Sequence, residues 1–224
     1  MANQAYLSVI CKDFPAEQIP VRFGALLQTV PVSSSTPGFT HLAIRAVDDS
    51  ESPVLELDLR AAPLDAAGIV EIVTEQLHSD CSYETRCFWD LATIDAASAK
   101  APAQPQALEI ICRGEDYENA LWRERGHIEV QLGFEHFFTG HAGLLGSQPG
   151  VKVAAQSHEE ARFLETMAWP ENLQRYQEKT RENIRKLLDW VRRIEGTLSV
   201  ERVWLWSEGE ENFEARLEEI VAAR

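Results

Sequence analysis

The segment "SYETRCFWDLA", residues 82–92, alternates almost without interruption, with Tyr83, Thr85, Cys87, Trp89 and Leu91 on one side. A period of two sustained over that length commits the backbone to a strand with one buried face. The segments before it switch period in a definite order. "AYLSVIC" (5–11) is a short apolar run suited to a buried strand. In 15–30, Ile19, Phe23, Leu26, Leu27 and Val30 recur at helical spacing, with Pro20 placing the helix start near Val21 and Pro31 ending it. "THLAIRAV" (40–47) and "VLELDLRA" (54–61) each alternate, and "DDSESP" forms the turn between them. A second helix follows at 65–77, with Asp65 as its N-cap and Ile69, Ile72, Val73 and Leu77 as its apolar stripe.

The order β-α-β-β-α-β over residues 1–95 predicts an α+β fold whose N-terminal half is ferredoxin-like, two split βαβ units on an antiparallel sheet. Residues 96–106, "AASAKAPAQPQ", read as an Ala/Pro/Gln linker or a long hairpin loop. Residues 107–224 read as ββααβα: strands at 107–114 and 127–137, a helix at 158–168, a long helix over 170–195, a strand at 200–206 and a last helix from Asn212. This half either extends the first sheet or forms a second, related α/β layer. On the long helix Leu173, Tyr176, Thr180, Ile184, Leu187, Val191 and Ile194 lie along one line, with Glu171, Glu178, Glu182 and Asp189 opposite. Basic residues on both shoulders extend their stems over the stripe edges.

Charge narrows the function. Lys and Arg total 21 against 36 Asp and Glu, a formal charge of −15. Such a chain repels phosphate backbones and anionic membranes, so neither nucleic acid nor membrane is an expected partner. No segment reaches the ~20 apolar residues of a membrane helix, and "MANQAYLSVICKDF" lacks signal-peptide features, so a cytoplasmic location is expected. Cys11, Cys81, Cys87 and Cys112 have no C-x-x-C spacing and read as buried thiols. No cofactor is indicated.

The densest concentration of candidate chemistry is "HIEVQLGFEHFFTGHAGLLG", residues 127–146. As a strand it places His127, Glu129, Gln131, Gly133 and Glu135 on one wet face. His127 and Glu129, about 7 Å apart, are then weak candidates for metal ligands, whereas Glu135, about 26 Å from His127, cannot join them. The glycine pattern G-x-x-G-x-x-G at 140, 143 and 146 matches neither a dinucleotide fingerprint nor a P-loop. His136, Gly140, His141 and Gly143 remain candidates for a ligand-binding loop. No G-x-S-x-G is present, and the adjacent acids Glu115–Asp116 and Glu159–Glu160 read as solvated. Trp204 and Trp206 share a strand face with Arg202, which suits a core or a homo-oligomer contact.

Two functions follow as expectations. The first is an acidic interaction or regulatory protein without catalysis, recognising a basic protein as a toxin-neutralising (immunity) protein would. The second is a small-molecule binder or enzyme using the loop 136–146, with a metal at His127 and Glu129.

Overall fold

A computed structural model describes residues 3–93, 102–141, 144–145 and 157–222. In chain order it contains β1 (Gln4–Cys11), α1 (Ile19–Thr29), β2 (His41–Ala46), β3 (Leu55–Asp58), α2 (Ala66–Glu75), β4 (Cys81–Ala92) and β5 (Ala103–Arg113). The short α3 (Trp122–Arg125), β6 (Ile128–Phe134), the one-turn α4 (His136–Thr139), α5 (His158–Met167), α6 (Pro170–Thr197), β7 (Val200–Ser207) and α7 (Phe213–Ala222) follow. Local rules account for most boundaries. Asp65 caps α2 by accepting a hydrogen bond from the Gly68 N–H at 2.9 Å, and Ser157 caps α5 by accepting one from the Glu160 N–H at 3.1 Å. Pro20 sits in the first turn of α1, where its missing N–H costs nothing, so that helix starts two residues earlier than its proline suggests.

All seven strands join one sheet, in the order β3-β2-β4-β5-β6-β1-β7, and every paired neighbour is antiparallel. The fold is therefore α+β and the C-terminal half completes the same sheet, but the ferredoxin-like pairing of the first four strands is not found. That arrangement brings β1 and β4 together, whereas here β5 and β6 stand between them. The reason lies in the hairpin. β4 pairs with β5 along its full length, from Ser82↔Arg113 to Ala92↔Ala103, and so occupies the edge β1 would need. Both edges of β1 are taken instead by β6 and β7. The expected linker over 96–106 is corrected in part: its residues 103–106 are the start of β5, paired with the end of β4, and its residues 96–101 lie outside the described residues.

The helices pack on the face carrying Leu7, Val9, Leu42, Ile44, Tyr83, Cys87, Trp89, Leu108, Ile110, Val130 and Leu132, all of them fully buried in one continuous core with residues of α1, α2, α6 and α7. Removing that much apolar surface from water is the main drive for the fold. The α6 stripe is buried as its spacing predicts apart from the half-buried Val191, and Asn183 and Trp190 are buried with it. Asn183 is the polar clasp. Its amide donates to the Ala92 and Phe137 carbonyls at 3.0 Å each and its oxygen accepts from the Ala92 N–H at 2.8 Å. All four cysteines are free and buried.

The other sheet face is half-covered. The segment 114–126, including α3, folds back over β5, β6 and β1, so that Ser8, Arg113 and Glu129 are buried on a face whose alternation reads as wet. At one edge of the sheet, β7 offers outward-facing backbone, and Glu214 of α7 accepts from the Leu205 N–H at 2.7 Å, which blunts that edge against pairing.

Candidate functional site

The residues singled out from 127–146 do not assemble into one centre. The His127 ring is stacked between Phe14 and Trp122, at centroid distances of 4.4 and 4.3 Å, and its Nδ1 accepts a hydrogen bond from the Cys11 N–H at 3.1 Å. Glu129 pairs with Arg113, Nη2 to Oε1 at 3.1 Å, with Arg125 4.0 Å from its other oxygen. The covering segment 114–126 therefore engages both weak metal candidates in packing. His136 stacks on Phe134 and meets the Phe137 ring at a tilt, and burial together with the neighbouring His141 pulls its pKa down. His141 pairs through Nε2 with Glu160 Oε1 at 3.0 Å and donates its backbone N–H to the Tyr176 hydroxyl at 2.6 Å. Gly140 has φ +77°, and a Cβ there would lie 2.6 Å from Leu145 Cγ, so this glycine serves a tight turn against the core. Gly143 lies outside the described residues. Trp206 is stacked on Tyr6 at 4.1 Å, donates to the Ser8 hydroxyl at 3.0 Å and lies under the Arg125 guanidinium, while Arg202 covers Trp204. Both indoles thus have partners within the chain.

Burial pushes the His127 pKa down from 6.5 to about 4. The folded state holds it neutral, so between those values the unfolded chain takes up a proton that the folded one refuses. Stability then falls as pH drops from about 6.5 to about 4 and levels off below. The ceiling, at ~1.36 kcal/mol per pH unit, is about 3 kcal/mol. Denaturant titrations of wild type and His127→Gln at neutral and mildly acid pH check this: their stability difference shrinks in acid. An equal difference at both pH values would refute a neutral, buried imidazole.

A different constellation does assemble, at the sheet end where β2 finishes and β4 begins, since Ala46 pairs with Cys81 and Ser82 with Arg113. Three turns meet there: Val47–Ser50, the turn into β4 with Asp80, and Asp116–Asn119 after β5. They are stitched by backbone hydrogen bonds, from Val47 N–H to Asp80 O (2.9 Å), Asp116 N–H to Ser79 O (2.9 Å) and Glu118 N–H to Val47 O (2.9 Å). Together they line a cavity of about 600 Å³ with Asp48, Asp49, Asp80, Asp116 and Glu118, plus Val47, Ser50 and Asn119. Every ionisable side chain in that lining is acidic.

The backbone here is strained. Val47, Glu118 and Asn119 have φ of +74°, +47° and +54°, and Ala120 follows at +65°. For a β-branched residue such as Val47 that region is a genuine outlier, and such strain persists only where the surroundings over-determine it. The carboxylates are individually oriented. Asp48 Oδ1 accepts from the Ser50 N–H and hydroxyl at 2.8 and 2.6 Å, which lowers its pKa. Asp49 accepts from the Tyr117 hydroxyl at 2.6 Å and Asp116 from the Ser79 hydroxyl at 2.7 Å. Glu118 Oε2 is buried without a hydrogen-bond partner among the described residues.

This site is invisible in the sequence because its acids arrive from three turns whose adjacency depends on the sheet order. "DDSESP" reads as a turn, and Glu115–Asp116 as a solvated pair. The usable signal is that acid-rich turns follow β2, precede β4 and follow β5, three strands that are neighbours only once β4 pairs with both others. Such an open cavity can attract a cationic group; it presents carboxylates held by local donors, which suits recognition better than proton transfer. No protein-family model, curated protein or solved structure matches the chain, so the functional reading rests on this geometry.

Proposed function

We propose that the chain is an acidic recognition protein, which takes up a cationic side chain of a basic protein partner in the cavity lined by Asp48, Asp49, Asp80, Asp116 and Glu118. The observation that carries the reading is the convergence of five carboxylates, without a lysine or arginine in the lining, on a cavity of about 600 Å³. The overall charge of −15 adds long-range attraction for a positively charged partner. The neutralisation of a basic toxin is one role that fits this chemistry. The strained, cross-linked turns favour it further, because a preorganised set of carboxylates gives up less entropy on binding than a mobile one.

Diffuse attraction by an acidic surface is the alternative that the test must separate. A short oligoarginine peptide is titrated against wild type, against Asp48→Asn/Asp49→Asn/Asp116→Asn, and against Glu195→Gln/Glu211→Gln/Glu218→Gln, which removes the same charge from exposed positions elsewhere. The cavity variant is expected to bind at least about tenfold more weakly, a loss of ~1.4 kcal/mol, and the control variant close to wild type. Affinity should also fall as salt rises from about 0.01 to about 1 M, over which the Debye length shrinks from about 30 to about 3 Å. Equal losses in the two triple variants would refute a defined site.

A further inference from the structure

The turn from α2 into β4 carries donors of three chemical kinds. His78 Nδ1, Asp80 Oδ1 and Cys81 Sγ all lie within 4.8 Å of one another, and this is the one such set among the described residues. We propose that His78, Asp80 and Cys81 form a binding site for a zinc-class divalent transition metal, held by one nitrogen, one oxygen and one sulfur.

The sulfur–oxygen spacing already suits the ion, and the nitrogen–oxygen spacing has to open by about an ångström. Zinc bonds of about 2.0–2.3 Å at tetrahedral angles place ligand atoms about 3.3–3.8 Å apart. Here Nδ1 lies 2.5 Å and Sγ 3.5 Å from the same Asp80 oxygen. Both contacts are hydrogen bonds converging on Oδ1, so two protons occupy the position that one cation would take. The His78 side chain is 67% exposed, which leaves it free to swing by the ångström that coordination requires. The rest of the turn is fixed. The Tyr83 hydroxyl accepts from the His78 N–H at 2.8 Å, the Gly114 N–H donates to the Cys81 carbonyl at 2.8 Å, and Cys81 begins a strand paired on both sides. The mixture of donors selects the metal. Thiolate with imidazole favours zinc and its borderline neighbours, whereas calcium and magnesium take oxygen ligands. Three protein donors leave a fourth tetrahedral position open to water or to a further ligand.

On binding, the Cys81 S–H and His78 Nδ1–H bonds break and both protons pass to solvent, the neutral imidazole takes up one at Nε2, and Sγ and Nδ1 each donate the freed electron pair to the metal. Proton release therefore accompanies uptake of the metal. The inference does not depend on recognition of a basic partner, since it needs none of the three aspartates neutralised in that test.

Cobalt(II) is the probe, titrated into the apo-protein and then displaced by zinc. The expected result is one equivalent bound, with the sulfur-to-cobalt charge-transfer band and the intense visible bands of a four-coordinate site. Cys81→Ser removes the charge-transfer band, and His78→Gln, an exposed and structurally mild change, weakens binding at least tenfold while the far-ultraviolet dichroism stays unchanged. Absence of the thiolate band in wild type, or cobalt affinity unaltered in His78→Gln, overturns the proposal. So does uptake of calcium or magnesium in preference to zinc, which would place the ion among the carboxylates alone.

Discussion

Replacing Arg113 by methionine is expected to lower the unfolding free energy by about 3–5 kcal/mol, the cost of leaving one partner of a buried ion pair without the other. Arg113 is 3% exposed and Glu129 7%, and their contact is a single hydrogen bond of 3.1 Å. The guanidinium Nε and Nη1 and the carboxylate Oε2 have no hydrogen-bond partner among the described residues. This pair is therefore poorly satisfied, and its Coulomb attraction compensates little more than its desolvation. The double replacement Arg113→Met/Glu129→Leu should accordingly recover most of the loss and fall within about 1–2 kcal/mol of wild type. Urea denaturation followed by tryptophan fluorescence measures all three differences. If the segment 114–126 did not seal this face, the pair would be solvated and Arg113→Met would cost only about 0–1 kcal/mol. The variant thus reads out the covering of the sheet as well as the pair.

Trp190→Ala is the second large effect, with an expected cost of about 3–5 kcal/mol. The side chain is fully buried on α6, its indole N–H donates to the Thr29 hydroxyl of α1 at 3.0 Å, and its ring meets Trp89 of β4 at 5.8 Å. It therefore pins the long C-terminal helix to an N-terminal helix and to the middle of the sheet at once. Truncation leaves a void whose walls are other aromatic rings and helices, which cannot collapse freely into it. A single cooperative transition displaced to lower denaturant is the predicted behaviour. A variant whose halves unfold in two separate steps, with the N-terminal half unshifted, would contradict the single shared core.

The sequence made the elements legible where one local rule governs them. The alternation of 82–92 and the apolar stripe of 170–195 correspond to β4 and α6, and Asp65 caps α2 as its position suggests. What it could not convey is which strands are neighbours. Hydrophobic period fixes the face of a strand, not its partner, and the ferredoxin-like expectation failed because β4 pairs with β5, the next strand in the chain, and not with β1. The same gap hid the acidic cavity, whose residues stand between Val47 and Asn119 in sequence. It also misplaced His127 and Glu129, since nothing in "EDYENALWRERG" announces that this stretch folds back across the sheet and removes both from water. The loop 136–146 drew attention through its residue types, yet His136 and His141 are each engaged with neighbouring rings or Glu160.

Recognition of a cationic group at the carboxylate-lined end of the sheet is tested most directly by mapping backbone amide shifts during titration with oligoarginine at low salt. The account predicts that the largest changes cluster at Val47–Ser50, Ser79–Cys81 and Asp116–Asn119 and saturate together with one affinity. Changes concentrated along the acidic faces of α6 and α7, or spread evenly over exposed acids without saturating, would contradict it.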